Sequence, residues 1–323
     1  MNFKLKLTAL AVGITLFISC SKDDSLEEQN TINFTIASKQ RSNNLGSEHY
    51  NSGELTNLNN SKWMSALPDS KKIGDISIPG THETFALYGR LGADLYVQCQ
   101  SMSIEEQLKA GIRFIDARCR FLKEGTFSIH HGAFFQKKFF GEVIMALKKF
   151  LKNNPNETIF MRVKQEYSTE SDENFIKAFN DYYRRFGGDD YFYAPEDPNS
   201  CNLPEDLGEV RGKIVIIENV SGLRGVKWNC LRIQDDYKLN LFSSTHSKYK
   251  KVEKHLEASN KDKENIYLNF SSATGWLFPY VIADDVNEYL LDYLKVNPTI
   301  KTGIVAMDYP GDDLIQAIIN TNF

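Results

Sequence analysis

From Trp63 onward, short runs of large apolar and β-branched residues alternate with stretches whose apolar side chains recur every three or four positions. The short runs predict strands at 75–79, 113–118, 126–130, 158–164, 213–218, 231–235, 265–270 and 302–307. Val143, Leu147, Phe150 and Leu151 fall on one helical face, with Lys148, Lys149 and Lys152 elsewhere around it. Asn153-Asn154-Pro155 stops that helix. Val286, Tyr289, Leu290, Tyr293 and Leu294 predict a second helix, and 172–186 a third. Strands alternating with helices predict an α/β fold, a single-domain TIM-type (β/α)8 barrel. It is distorted, because some connections are too short for a helix. A doubly wound sheet is the structural alternative.

The pattern is absent at the start of the chain. Lys4 and Lys6 precede an apolar run, Leu7 to Ile18, and then Ser19 and Cys20. That order predicts a signal peptide over 1–19, and the run is short for a membrane span of about 20 residues. A cysteine just past the cleavage point resembles a bacterial lipoprotein signal, in which Cys20 would be lipidated. Ser21-Lys22-Asp23-Asp24 resembles the acidic tags that send some lipoproteins to the cell surface. The expected location is therefore outside the cytoplasm, lipid-anchored to the bacterial outer membrane on its periplasmic or outer face. Residues 20–60, rich in Ser, Asn, Glu and Thr, read as a flexible tether.

Composition adds bounds. The 323 residues are 41% hydrophobic and 25% charged, enough apolar material for a sizeable core. A net charge of −4 gives no electrostatic case for a nucleic-acid partner. A monomer is expected. Beyond Cys20, the cysteines are Cys99, Cys119, Cys201 and Cys230. None has metal-site spacing, and an exported protein could pair them in more than one way.

Polar residues close the predicted strands. His82 follows the first, Asp116 and Arg118 end the second, and His131 follows the third. Lys164 ends the fourth, Asp235 and Tyr237 the sixth, and Asp308 the last. In a parallel barrel the C-terminal strand ends share one face, so these side chains would converge. Two imidazoles, a guanidinium, an ammonium and carboxylates suit phosphoryl transfer. A neutral His takes a proton from an attacking hydroxyl, a cationic His gives one to the leaving oxygen, and Arg meets the phosphate oxygens. Taken singly, each has a structural explanation, a turn His or a surface ion pair; the inference rests on their joint placement.

Ile76-Ser77-Ile78-Pro79-Gly80-Thr81-His82, Gly111 to Arg118, His130-His131-Gly132 and Asn154 to Lys164 together resemble bacterial phosphatidylinositol-specific phospholipase C. So do Ser61 to Met64, Arg211 to Val215, Gln234 to Tyr237, Ile266 to Phe270 and Met307-Asp308-Tyr309, which carries the likeness from 61 to the C-terminus. The resemblance implies a distorted (β/α)8 barrel and metal-independent cleavage, with no cofactor. His82 would be the base that deprotonates the inositol 2-hydroxyl, and His131 the acid that protonates the diacylglycerol oxygen. Asp308 would orient the base and Arg118 stabilise the phosphate. Asp116, Lys164, Asp235 and Tyr237 would belong to the substrate site. The substrate would be phosphatidylinositol or its glycosylated anchors at a membrane surface, where Trp276 and Phe278 would touch lipid.

Two positions depart from that family's pattern. Glu83 replaces the aspartate that follows the base, so its carboxylate, one methylene longer, must reach the acid His131 differently. Asn219 stands where the family places an inositol-binding arginine. These departures motivate a surface inositol- or glycan-binding lipoprotein without turnover as one alternative. A metal-dependent glycerophosphodiester phosphodiesterase on a similar barrel is the other.

Overall fold

The computed structural model describes residues 48–89, 94–195, 197, 201, 203–240 and 243–323. The expected signal peptide, Cys20 and most of the expected tether lie outside the described residues. Eleven strands are described: β1 (Ile78–Thr81), β2 (Phe114–Phe121), β3 (Phe127–His131), β4 (Phe134–Phe139), β5 (Ile159–Gln165) and β6 (Phe192–Tyr193), then β7 (Ile214–Asn219), β8 (Val226–Lys227), β9 (Arg232–Gln234), β10 (Tyr267–Phe270) and β11 (Ile304–Met307). Their order is β6-β7-β5-β2-β1-β11-β10-β9, every neighbouring pair along this path being parallel.

The sheet curls on itself. Arg162 on β5 lies 5.5 Å from the ring of Phe270 on β10, although β2, β1 and β11 separate those strands in the sheet. Among the described residues no ladder joins β9 to β6 or β8, so the TIM-type barrel is incompletely closed. Helices Phe140–Asn153, Asp172–Arg185, Thr245–Lys261 and Pro279–Val296 follow β4, β5, β9 and β10. The helix at Phe140–Asn153 buries Val143, Ile144, Leu147 and Leu151. It stops where the backbone N–H of Asn154 bonds back to the carbonyls of Phe150 and Leu151, just before Pro155. Ser171 caps Asp172–Arg185, with acidic residues in its first turn and Arg184 and Arg185 in its last, the charge order the helix dipole favours.

Three expectations change. The first strand begins at Ile78, because Ile73–Asp75 forms a 3-10 turn. Consequently His82 sits immediately past the strand end. The run at 126–130 is no parallel barrel strand: β3 pairs antiparallel with the far end of β2, Cys119 opposite Ile129, and with β4 on its other side. β2 therefore overshoots the rim of the barrel and β3 returns toward it. Lastly, the expected tether does not extend to 60. His49 and Glu48 carbonyls accept hydrogen bonds from Gly311 and Leu314, Thr56 donates to Asp312 at 2.8 Å, and Asn60 donates to the Ala110 carbonyl at 3.0 Å. Polar residues here bond to segments far away in the chain, which composition cannot distinguish from a solvated linker.

At the opposite end of the barrel, buried Arg113 donates to Glu157 through Nε (2.9 Å) and Nη2 (2.8 Å). Its other N–H groups reach the carbonyls of Leu108, Ile112 and Asn60. Such a pair holds the lower edges of β2 and β5 together and costs about 3–5 kcal/mol to break from one side.

Candidate active site

Side chains in a strand alternate between faces, and registered partners on parallel neighbours point the same way. Ala306 pairs with Gly80, Gly80 with Phe114, Phe114 with Phe160, and Phe160 with Val215. Counting by two from those positions puts His82, Asp308, Asp116, Arg118, Arg162, Lys164 and Asn219 on one face, the barrel interior. Gly80 is required there: a Cβ would lie 2.6 Å from the Cβ of Phe114.

His82 has both ring nitrogens engaged. Nδ1 is 2.8 Å from the Asp308 carboxylate and Nε2 is 2.9 Å from Nη2 of Arg118. A carboxylate only accepts and a guanidinium only donates, so the proton is on Nδ1 and the lone pair on Nε2. Burial lowers the pKa of His82, but the charge and hydrogen bond of Asp308 outweigh it and the net shift is upward. Asp308 is itself buried, and Asn287 holds its backbone carbonyl at 2.9 Å. Gln100 donates to the carbonyls of His82 and Met307, at 2.7 and 2.9 Å, clamping the ends of β1 and β11 together.

Arg118 is surrounded by acceptors. Nη1 lies 2.5 Å from Glu83 and 3.7 Å from Glu166, while Nε and Nη2 reach Asp116 at 3.3 Å. Burial opposes its charge, but Glu83, Asp116 and Glu166 reverse that and hold it firmly protonated. Asp116 is buried beneath, also taking Arg162 at 3.3 Å and the backbone N–H of Glu83 at 3.1 Å. Burial disfavours its ionised form, yet the arginine charges dominate and keep its carboxyl well below the usual range.

His131 reaches the same cluster from the returning β3. Its Nδ1 donates to the Val97 carbonyl at 2.7 Å, leaving Nε2 as the exchangeable nitrogen, 3.7 Å from Glu83. Glu83 thus sits between the acid candidate and Arg118 but lies nearer to Arg118. It adopts φ 43°, a left-handed backbone that side chains rarely take and that surrounding contacts must support. Of the adjacent histidines, His130 is buried and points away toward Phe135.

The outer wall is less uniform. Lys164, partly exposed, pairs with Glu166 at 3.1 Å. Asp235 and Tyr237 lie exposed after β9. Asn219 does not face the pocket as a free amide: its Oδ1 accepts from Nε and Nη2 of Arg162, at 3.1 and 2.7 Å. A guanidinium thus stands on this wall at Arg162, stacked 4.1 Å from Trp228. Arg162 and Glu166 are not among the expected site residues, because Arg162 lies inside β5 rather than at its end and Glu166 lies just past it. The signal was available, since each lies two positions from Lys164 and so on the same face. Cys99 and Gln100 carried no such signal.

The residues from 80 to 219 match the family model for the phosphatidylinositol-specific phospholipase C X domain. A 1-phosphatidylinositol phosphodiesterase of Listeria monocytogenes is 32% identical over 281 residues, covering 81% of this chain and 84% of that one. The chain belongs to the phosphatidylinositol-specific phospholipase C family. A Staphylococcus aureus 1-phosphatidylinositol phosphodiesterase is 29% identical over 303 residues, 80% of this chain and 93% of that protein. The Listeria monocytogenes phosphatidylinositol-specific phospholipase C structure superposes with a TM-score of 0.74 at 31% identity, covering 82% of this chain and all of the other. A Staphylococcus aureus enzyme, described for modulation of its membrane binding, gives 0.70 at 27%, covering 82% and 98%. The reaction of this family is cleavage of the phosphatidylinositol phosphodiester, and the protein is such a phospholipase C. Neither alternative is favoured. In particular, the carboxylates that a catalytic cation would need, Asp116, Glu83 and Glu166, are committed to arginine and lysine.

In this enzyme the charge of Asp308 raises the pKa of His82, and His82 must be neutral to accept a proton. Activity should therefore fall as pH drops through that raised value. Asp308→Asn removes the raising charge, so the acid limb of the kcat/KM profile should move to lower pH while the plateau drops about 10- to 10⁴-fold. An unmoved acid limb would show that the Asp308–His82 pair does not set it.

Proposed function

We propose that this phospholipase C releases diacylglycerol and inositol 1,2-cyclic phosphate from phosphatidylinositol, or from glycosylated anchors built on it, with protein groups alone. The observation that carries this reading is the Nε2 lone pair of His82, oriented by Asp308 and lying beside the Arg118 guanidinium. The inositol 2-hydroxyl gives its proton to that lone pair as its oxygen bonds to phosphorus. Before that transfer Nη2 of Arg118 turns from the imidazole to the phosphate, which frees the Nε2 lone pair and lets the guanidinium take the charge on the non-bridging oxygens. His131, cationic with its Nδ1–H fixed on Val97, protonates the glycerol oxygen as its bond to phosphorus breaks. Glu83 stabilises that cation and the guanidinium together. Lys164, Asp235 and Tyr237 border the headgroup, with Arg162 behind them.

The assay is turnover of phosphatidylinositol vesicles by the full chain in the presence of chelator, with the phosphate product resolved as cyclic or acyclic. Cyclic product should form, and His82→Ala should lose more than about 10³-fold in rate. Cleavage of phosphatidylinositol but not of a glycosylated anchor narrows the substrate; no turnover of either overturns the reading.

The membrane side of the site is also ours to propose. Trp276 is 55% exposed and Tyr96 63%; Tyr96 packs edge-on to Phe278 at 4.5 Å. This aromatic edge adjoins the catalytic groups, since Tyr96 precedes the Val97 that holds His131, and Thr274 bonds to the Tyr237 carbonyl. Trp and Phe in such a position suit the bilayer interface. Trp276→Ala with Phe278→Ala should weaken vesicle binding and lower activity on vesicles while sparing a short-chain monomeric substrate. Equal losses on both substrates would place these residues in the fold rather than at the lipid.

Export and lipid anchoring through Cys20 fit the N-terminal pattern, and the Cys201–Cys230 disulfide fits an oxidising compartment. Expressed in a bacterium, the full chain should partition with membranes and incorporate labelled fatty acid, and Cys20→Ala should do neither. Label retained by Cys20→Ala would refute the anchor.

A further inference from the structure

Cys99 is a thiol that the reaction does not use, yet it lies against the base. Its backbone is held from two sides: the N–H donates to the Ala86 carbonyl at 2.9 Å, and the carbonyl accepts from Tyr309 at 3.0 Å. Tyr309 directly follows Asp308, and His82 is fixed to Met307 by a 2.9 Å backbone bond. Three donors of different chemistry are thereby brought together on anchored backbone. One ligand atom each from His82, Cys99 and Asp308 lies within 4.8 Å of the others. Cys99 and Asp308 are almost wholly buried, whereas the His82 side chain is 19% exposed, so the cluster opens past the imidazole. No carboxylate or amide saturates the thiol; its neighbours are the Val97 carbonyl at 3.7 Å and Nδ1 of His131 at 4.0 Å.

We propose that Cys99, His82 and Asp308 form an inhibitory site for a thiophilic divalent cation, with zinc as the representative. Tetrahedral zinc holds sulfur, nitrogen and oxygen donors at about 2.0–2.3 Å, so its ligands stand roughly 3.4 Å apart. Drawing these donors to that spacing needs side-chain shifts of about 1 Å, leaving the fourth position for water. A buried thiolate favours zinc or cadmium over magnesium or calcium, which prefer an all-oxygen shell.

Inhibition follows from the proton balance and rests on His82 being the base. On binding, the S–H bond of Cys99 breaks and its proton leaves to solvent, while the sulfur pair bonds to the metal. The metal also takes the Nδ1 pair of His82, so the single proton of the neutral ring moves from Nδ1 to Nε2. Nε2 then has no lone pair for the substrate hydroxyl. It also presents N–H toward Nη2 of Arg118, donor against donor, where a 2.9 Å hydrogen bond stood before. One cation thus removes the base and displaces the phosphate-binding guanidinium.

Two readouts test this on the full chain, in buffer without chelator or thiol reductant. Zinc is titrated against vesicle turnover, and cobalt(II) is added to the enzyme alone while thiolate-to-cobalt charge-transfer absorption is followed. Zinc should suppress turnover reversibly on addition of chelator, whereas magnesium and calcium at the same concentration should not. Cys99→Ser should retain turnover and need more than about tenfold more zinc for half-inhibition, and the cobalt–thiolate band should vanish in it. Equal zinc sensitivity of the wild type and Cys99→Ser, or no such band in the wild type, overturns the site. Should the serine variant fold poorly, Cys99→Ala carries the same comparison. The cobalt band needs no turnover. A band that depends on Cys99 in an enzyme still active as His82→Ala would overturn the base assignment and leave the metal site standing.

Discussion

Guanidinium groups can line the inner wall of a barrel only if carboxylates come with them, because a buried charge without a partner is expensive. Here Arg118, Arg162 and Lys164 are met by Asp116, Glu83 and Glu166 within a few ångströms. Asp116 is the keystone, since it touches both arginines and the backbone of Glu83 at once. That balance lets a fixed positive group wait where phosphate oxygens will sit, without reorganising during the reaction. Asp308 stands outside it; burial of His82 works against its charged form, but the charge and hydrogen bond of Asp308 outweigh that and raise the imidazole's pKa.

The two histidines reach this centre by different routes. His82 and Asp308 stand at the ends of adjacent parallel strands, joined by register and by the Gln100 clamp. His131 comes from a strand that runs the other way, and Glu166 ties that hairpin to the barrel through the Gly132 N–H at 3.1 Å. Glu166 therefore touches the hairpin, Lys164 and Arg118 together, adding to the β2–β3 ladder and the Val97 carbonyl that hold His131 in place. On the far wall, the disulfide ends at Cys230, two residues past Trp228, whose ring lies over Arg162. The covalent link thus steadies the group behind the headgroup site.

At the two positions where the chain departs from the resemblance, neighbouring side chains shape what the pocket holds. Arg162 on the strand beside Asn219 presents a guanidinium to that wall, and Asn219 accepts from it. A longer carboxylate at Glu83 settles mainly on Arg118 and keeps His131 at ionic distance. Arg162 and Asn219 meet because positions two apart on registered parallel neighbours share a face.

Alternation of apolar and polar residues, helix stops such as Asn154-Pro155, and polar residues at strand ends are local. From sequence alone they gave the α/β class, the helix that stops at Asn154-Pro155, the helix near 172–186, and the expectation that His82, Arg118, His131 and Asp308 converge. What lies across the sheet is not local. Only the folded chain decided that β3 returns antiparallel, that Arg162 meets Asn219, and that Cys201 pairs with Cys230. It also decided that residues 48–60 bond to the barrel and that Cys99 lies beside the base. Each depends on which strands become neighbours and in what register, a choice made by packing between segments far apart in the sequence.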